Sequence, residues 1–349
     1  MRPDLSVVNG AYFRDLMDQP AALQATLEGL EASSALRAMA SRLRGGEFDR
    51  VVLTGMGSSY HALHPLNLEL IGHGLTALME ETSELVYYKS RFFDPRTLFI
   101  VVSQSGQSAE VVRMLEVNLG RASVIAVTNT PDSPLARQAD VMVLTRAGNE
   151  FSVSCKTYVS ALAALAWLGH LLCSHNLEKS RMELDQAPAA AERYLSRWED
   201  YVGSLVEKLR GVRHLFLAGR GASLATVGIG GLIVKESDHF HAEGMSCAAF
   251  RHGPFEMLSP ETFVLVFAGH ESTRTLNAGL VRDIVEHGGR SELVSEDALS
   301  EVLRLPVAPP DVRPILEILP VQMITLALGG LGGREPGKLE LGSKITTVE

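Results

Sequence analysis

Residues 103–108, Ser-Gln-Ser-Gly-Gln-Ser, gather three hydroxyls, two side-chain amides and a glycine into six positions. The apolar run Phe99–Val102 leads into them, and a helix-like stretch from Ala109 to Leu119 follows. A strand that ends in small hydroxyl residues where a helix begins aims backbone N–H groups, hydroxyls and a positive helix end at one point. That arrangement holds a phosphate without a lysine. Serine is also a good helix N-cap, so the weight of this reading comes from the rest of the chain.

Positioning such a loop takes a buried strand and a covering helix, and the chain repeats that pairing. Val51–Leu53 runs into Thr54-Gly55-Met56-Gly57-Ser58-Ser59, and Leu215–Leu217 into Ala218-Gly219-Arg220-Gly221-Ala222-Ser223. Leu98–Val102 is echoed by Phe263–Phe267, with helices expected from Gln107 and from near Ser272. Val124–Val127 is echoed by Leu293–Val294, and Val141–Leu144 more weakly by Leu305–Val307. Strands alternating with helical segments predict an α/β fold of two parallel sheets covered on both faces. Ser103-Gln104-Ser105 corresponds to Phe267-Ala268-Gly269 in the second half, so the hydroxyl cradle belongs to the first half alone. The organisation expected is a helical segment at 1–34, an α/β domain at 35–177, a helical connector at 178–208, a second α/β domain at 209–332 and a tail at 333–349.

The bulk properties narrow the partners. A chain of 349 residues with 46% hydrophobic and 21% charged residues has enough core for two domains. A net charge of −9 argues against a nucleic-acid partner, which needs clustered Lys and Arg. Three cysteines, Cys155, Cys173 and Cys247, show no metal or CxxC spacing, which predicts a reduced, cytoplasmic setting. The start Met1-Arg2-Pro3-Asp4 lacks the apolar core of a signal peptide. Val159–Cys173 is too short to span a bilayer and reads as a buried core helix, so no membrane partner is expected.

Together these residues resemble the sugar isomerase (SIS) family. More closely, they resemble its two-domain members: the isomerase half of glutamine–fructose-6-phosphate amidotransferase, the amino-sugar-phosphate deaminases and the Amadori-product deglycases. The resemblance runs through Asp18-Gln19-Pro20, Gly57-Ser58-Ser59-Tyr60, Ser83-Glu84-Leu85, Ser103-Gln104-Ser105-Gly106, Asn129, Leu135-Ala136-Arg137, Glu150 and Lys156. It continues in Lys235-Glu236, His241-Ala242-Glu243-Gly244, His252-Gly253-Pro254 and the tail from Lys344 to Glu349. It implies two tandem flavodoxin-like units, a homodimer, and a sugar phosphate as the small-molecule partner. Ser103, Gln104, Ser105 and Ser108 match the phosphate cradle. Gly57, Ser58 and Ser59 match the neighbouring turn beside the sugar, with Ser154 as a further sugar contact.

The resemblance also assigns chemical roles. Glu236 matches the carboxylate base that moves a proton between C1 and C2, a step that needs one base able to reach both carbons. His252 matches the histidine that assists ring opening, contributed across the dimer interface; titration near neutrality suits it to that task. Lys344 matches the tail lysine that opens the ketose and holds it as a Schiff base, with Lys338 as a rival. His239 and His241 read as packed histidines. No grouping has metal-ligand spacing, and the enediol chemistry requires neither metal nor cofactor.

Two departures bear on the substrate. The amidotransferase carries a further lysine where this chain has Ile233, and the stretch Glu150–Lys156 is one residue shorter. Phe255-Glu256 after His-Gly-Pro is similar to the deaminase and deglycase branch. Residues 1–45 leave no room for a glutaminase domain before the first strand. The expected activity is therefore an amino-sugar-6-phosphate deaminase/isomerase or a 6-phosphofructosyl-amine deglycase. A plain ketose–aldose phosphate isomerase and a non-catalytic sugar-phosphate sensor remain as alternatives. Dimerisation is expected to draw on the apolar run Ile315–Leu331.

Overall fold

The computed structural model describes residues 5–346. The chain sorts into two compact units assembled from discontinuous stretches. The first comprises Ala21–Glu150, Lys156–Gln186 and the tail from Leu341. The second comprises the N-terminal residues up to Pro20, Phe151–Cys155 and Ala187–Glu340.

The first unit is built on a five-stranded sheet, β1 (Arg50–Gly55), β2 (Ala77–Glu81), β3 (Thr97–Val102), β4 (Ser123–Thr128) and β5 (Val141–Leu144), in the order β2-β1-β3-β4-β5. Every pairing is parallel. Residues of β1, β3 and β4 are buried without alternation, as expected when helices cover both faces. On one face Val52, Phe99, Val101, Val124 and Ala126 pack with Val111, Met114 and Leu115 of the helix Ala109–Asn118. The helix Lys156–Leu172 packs against β4 and four other helices and is buried at every residue except Ala166. This is the core helix that the run from Val159 predicts. Its burial answers its composition, since an all-round apolar helix is stable only inside a protein or a membrane.

The second unit carries four parallel strands, β6 (His214–Gly219), β7 (Ala242–Ser246), β8 (Thr262–Phe267) and β9 (Arg290–Val294), in the order β7-β6-β8-β9. The helix Leu224–Asp238 sits on β7 through glycines. A Cβ on Gly231 would lie 2.7 Å from the Gly244 nitrogen, and one on Gly244 would run into the Val227 carbonyl. Only glycine allows backbones that close, so these two positions fix how the helix carrying Glu236 lies on the sheet. The helix Arg313–Gly332 is long and apolar enough to cross a membrane, yet 89% of its most apolar window is buried inside the protein. It packs against Leu224–Asp238 and Trp198–Leu209. Deep in this unit Gln19 and Gln322 exchange two side-chain amide hydrogen bonds of 2.9 Å, with neither residue exposed.

Three of the four repeated strand pairs take their place in the two sheets: β1 with β6, β3 with β8, and β4 with β9. The fourth does not. Leu305–Val307 forms no strand, and the nearest pairing is an isolated bridge between Ser295 and Arg304. Pro306, Pro309 and Pro310 remove the amide donors a ladder would need. The short edge strands β2 and β7 were not expected from the sequence. The helices begin at Ala109 and Glu271, close to the expected positions. Of the apolar run Ile315–Leu331, the residues from Ile315 to Gly329 are buried within their own unit, and Leu331 is exposed. His239 and His241 are exposed rather than packed: His239 meets Arg334, and His241 meets His214.

Candidate functional site

In the first unit β1 and β3 are adjacent, with Thr54 paired to Val101. The turn Gly57–Ser59 and the loop Ser103–Ser108 therefore emerge side by side at the carboxyl ends of two parallel strands. Between β1 and β3 the strand order reverses direction, and in open α/β sheets ligands bind at that switch point. Gly55 lets the two strand ends close up, since a Cβ there would lie 2.9 Å from the Val102 carbonyl oxygen. Gly57, with φ +51°, starts the turn in a conformation that favours glycine.

The loop is held from behind. The Gln104 carbonyl accepts from the Asn129 amide at 3.1 Å and from the hydroxyls of Thr130 and Thr128 at 3.2 and 3.3 Å. These three residues close β4 and were not singled out as a group from the sequence, although Thr-Asn-Thr directly after a strand is a visible signal. Gly106 turns the loop at φ +61°, where a side chain would strike Ser133. Ser103 Oγ accepts the Gly106 amide at 3.1 Å, and Ser105 Oγ accepts the Gln107 amide at 3.3 Å. Each hydroxyl uses a lone pair inside the loop and keeps its proton for donation. Ser108 is the N-cap of Ala109–Asn118, yet its side chain makes no capping bond. Three serine hydroxyls thus lie within six residues that lead into a helix N-terminus, a donor-rich setting for an anion.

The tail returns to this loop. The Ala109 amide, in the first turn of that helix, donates to the Thr346 carbonyl at 3.1 Å. Lys344, two residues earlier, pairs with the Glu150 carboxylate. That carboxylate has a fully buried side chain and also accepts from the Thr157 amide at 3.0 Å and the Thr157 hydroxyl at 2.7 Å. Glu150 therefore caps the helix Lys156–Leu172 and anchors Lys344 in one arrangement. Lys338 is exposed.

In the second unit Glu236 lies half-buried in the last turn of Leu224–Asp238. The next residue, Ser237, accepts the Gly337 amide at 3.0 Å, and Gly337 in turn accepts the Ser152 hydroxyl at 2.6 Å. The end of the Glu236 helix, the loop containing Ser154 and the chain before the tail are thereby tied together. Two residues from Glu236, burial pushes the Asp238 carboxyl up to about 8, against the opposing pull of Ser237 and Arg334. Ile233 is completely buried, so a lysine there would be stranded in the core.

His252 is exposed and follows the short helix Cys247–Arg251, beyond the carboxyl end of β7. The Glu236 helix leaves the carboxyl end of β6 and returns to the amino end of β7, so Glu236 sits at the opposite edge of the same sheet. The five residues of β7 span roughly 16 Å. Within one unit the base and the histidine therefore do not share a site.

The second unit also fills the place that corresponds to the cradle. Ser223 donates to the buried Glu317 carboxyl at 2.9 Å, and Arg220 donates to Asn277 at 3.0 Å. Burial raises Glu317 to about 7, with Ser223, Arg313 and Thr226 opposing the rise.

The SIS domain family matches residues 47–171. The glutamine–fructose-6-phosphate aminotransferase (isomerizing) of Thermococcus kodakarensis is 30% identical, over 96% of this chain and 58% of its own length. The chain thus spans a little over half the length of the curated relatives it matches. Among solved structures, the C-terminal domain of glucosamine-fructose-6-phosphate aminotransferase from Francisella tularensis shares the fold with a TM-score of 0.84 at 20% identity, over 95% of this chain and 98% of that one. Glucosamine-6-phosphate deaminase from Thermotoga maritima gives 0.78 at 19% identity, over 97% of this chain and all of that one.

Proposed function

This chain belongs to the SIS phosphosugar isomerase family, and from that premise we propose that it is an enzyme releasing an amine from a phosphorylated amino sugar or fructosyl-amine. The observation that carries the proposal is the lysine-free cradle of Ser103, Ser105 and Ser108 at the β1–β3 switch point, with the Lys344 tail bonded to the first turn of its helix. In this reading the cradle holds the phosphate, with Gln104 and Ser58 beside it. Gly57 and Ser59 shape the turn that approaches the sugar, and Ser154 contacts it.

Glu236 takes a proton from one of C1 and C2 and returns it to the other, passing through an enediol or enamine. His252 and Lys344 handle ring opening and the amine. His252 comes from a second copy of the chain, because it sits across the sheet from Glu236. Simple ketose–aldose isomerisation uses the same proton transfer and is the second reading. The buried Ile233, which departs from the amidotransferase pattern, favours deamination or deglycation over synthesis.

The test is amine release from glucosamine-6-phosphate, galactosamine-6-phosphate and 6-phosphofructosyl derivatives of several amino acids, with Glu236→Gln as control. Turnover of any of these, lost in the variant, supports the proposal and names the substrate. Ketose–aldose interconversion without amine release moves the assignment to the isomerase. Tight sugar-phosphate binding with neither reaction moves it to a sensor.

A further inference from the structure

A separate group of donor side chains lies in the first unit, where the helix His64–Gly72 meets the end of Lys156–Leu172. The helix His64–Gly72 runs from the carboxyl end of β1 toward the amino end of β2, so its last turn is at the sheet edge opposite the cradle. Glu69 and His73 stand one helical turn apart. His170 lies in the last turn of Lys156–Leu172, with Cys173 and His175 just beyond it.

The geometry is tight. His175 Nε2 lies 2.9 Å from Glu69 Oε1, and His73 Nδ1 lies 3.3 Å from the same oxygen. The Nε2 atoms of His73 and His175 are 3.0 Å apart. The ligand atoms of Glu69, His170 and His175 fall within 4.8 Å of one another, as do those of Glu69, His73 and Cys173.

The backbone is shaped to bring these groups together. Ser174 adopts φ +63°, a left-handed conformation that non-glycine residues rarely take. The turn sends the His175 amide back to the His170 carbonyl at 2.8 Å and stacks the two rings at 4.8 Å. Gly169 gives Glu69 its space, since a Cβ there would come within 3.3 Å of Glu69 Cγ.

We propose that Glu69, His73, His170, Cys173 and His175 form a binding site for a borderline divalent transition metal, Zn²⁺ foremost. A tetrahedral zinc with Zn–N near 2.05 Å places neighbouring ligand atoms about 3.3 Å apart, close to the spacings found here. Imidazole and thiol donors with a single carboxylate suit Zn²⁺, Ni²⁺ or Cu²⁺, whereas Mg²⁺ and Ca²⁺ take oxygen shells. Glu69, His170 and His175 form one three-ligand set and Glu69, His73 and Cys173 another, the two sharing the Glu69 carboxylate. The side chains of His73 and His175 are 40% and 37% exposed, which gives the ion a way in. A bound ion joins the ends of two helices and leaves the phosphate loop untouched.

The experiment strips the full-length protein with a chelator, then titrates Zn²⁺ against a chromogenic indicator. The expected result is one Zn²⁺ per chain with Kd below about 1 µM. At a hundredfold excess over Kd the thermal midpoint should rise by about 5 °C or more, and Mg²⁺ should have no effect. Co²⁺ should give the visible absorption of a tetrahedral site. The His73→Asn/His175→Asn variant should lose all three responses while its circular dichroism and its sugar-phosphate binding stay as in the parent. Binding weaker than about 100 µM, or binding that survives this double replacement, overturns the proposal and leaves the cluster as a hydrogen-bonded link between two helices.

Discussion

The Lys344 ammonium is held by the same Glu150 carboxylate that accepts both the amide and the hydroxyl of Thr157. One buried acid thus starts a core helix and fixes the tail. Lys344→Met should lower turnover at least ~100-fold, the range of a lost proton-transfer group, and should also lower the thermal midpoint, because it takes a counter-ion from the buried Glu150 carboxylate. Glu150→Ala should cost about 1–3 kcal/mol of stability, because it orphans a buried amide. Urea melts alongside steady-state kinetics separate the two effects. A Lys338→Met variant that loses turnover while Lys344→Met keeps it would reverse the assignment.

The cradle serines should act on binding. Ser105→Ala removes one hydroxyl donor, so KM for the phosphorylated substrate should rise by about tenfold, the loss expected for one hydrogen bond to a charged group. The value of kcat should hold within a factor of about two. Competition by inorganic phosphate should weaken in parallel. Unchanged phosphate competition would place the anion elsewhere.

Because Glu236 and His252 stand at opposite edges of one sheet, their joint action needs two chains. Glu236→Gln and His252→Ala proteins, each inactive alone, should regain activity when unfolded and refolded together. Random pairing in a dimer leaves about one intact site for every four in the parent. No recovery, with mixed dimers demonstrated by mass, would remove His252 from the composite site.

Glu317 should make stability depend on pH. Its carboxyl is raised by burial from 4.5 to about 7, so the folded state keeps a proton that the unfolded state gives up. Stability is full below about 4.5, falls as pH rises through 4.5 to 7, and is flat above, for a loss of roughly 3 kcal/mol at most. Asp238 adds a fall in the same direction, up to about 8. Glu317→Gln should flatten the 4.5–7 limb in urea melts taken at several pH values; an unchanged slope would show that Glu317 does not titrate there.

Gly337 is a sensitive joint. Its φ is +73°, and a side chain would meet Tyr12 and Ser152. Gly337→Ala should cost about 2 kcal/mol or more. It should also lower kcat, through the hydrogen bond to Ser237 beside Glu236. Calorimetry and kinetics on the same preparation check both effects.

Much of the fold was legible because its signals are local. Apolar runs such as Leu98–Val102, ending in glycine and serine, announce buried parallel strands, and Ser103–Ser108 announces the loop. What stayed hidden depends on non-local pairing. The β2 and β7 edges are short and half-polar, so no alternation marks them. Leu305–Val307 looks apolar enough for a strand until its prolines are counted as lost donors. His239 and His241 gave no sign of their exposure, since a histidine fits either environment. The run Ile315–Leu331 looked like an interface because composition cannot tell a buried helix from an uncovered one. Glu69 and His175 are far apart in sequence, and only helix packing makes them neighbours.

The reciprocal amides of Gln19 and Gln322 join residues 303 positions apart. On a ribosome adding about 5–20 residues per second, Gln19 waits some 15–60 s for its partner to be made. Its segment must stay hydrated or shielded through that interval, because neither amide group can be buried alone without cost. The second unit therefore closes late in synthesis, and chaperone demand should fall on nascent chains whose segment around Gln19 has emerged long before its binding place exists.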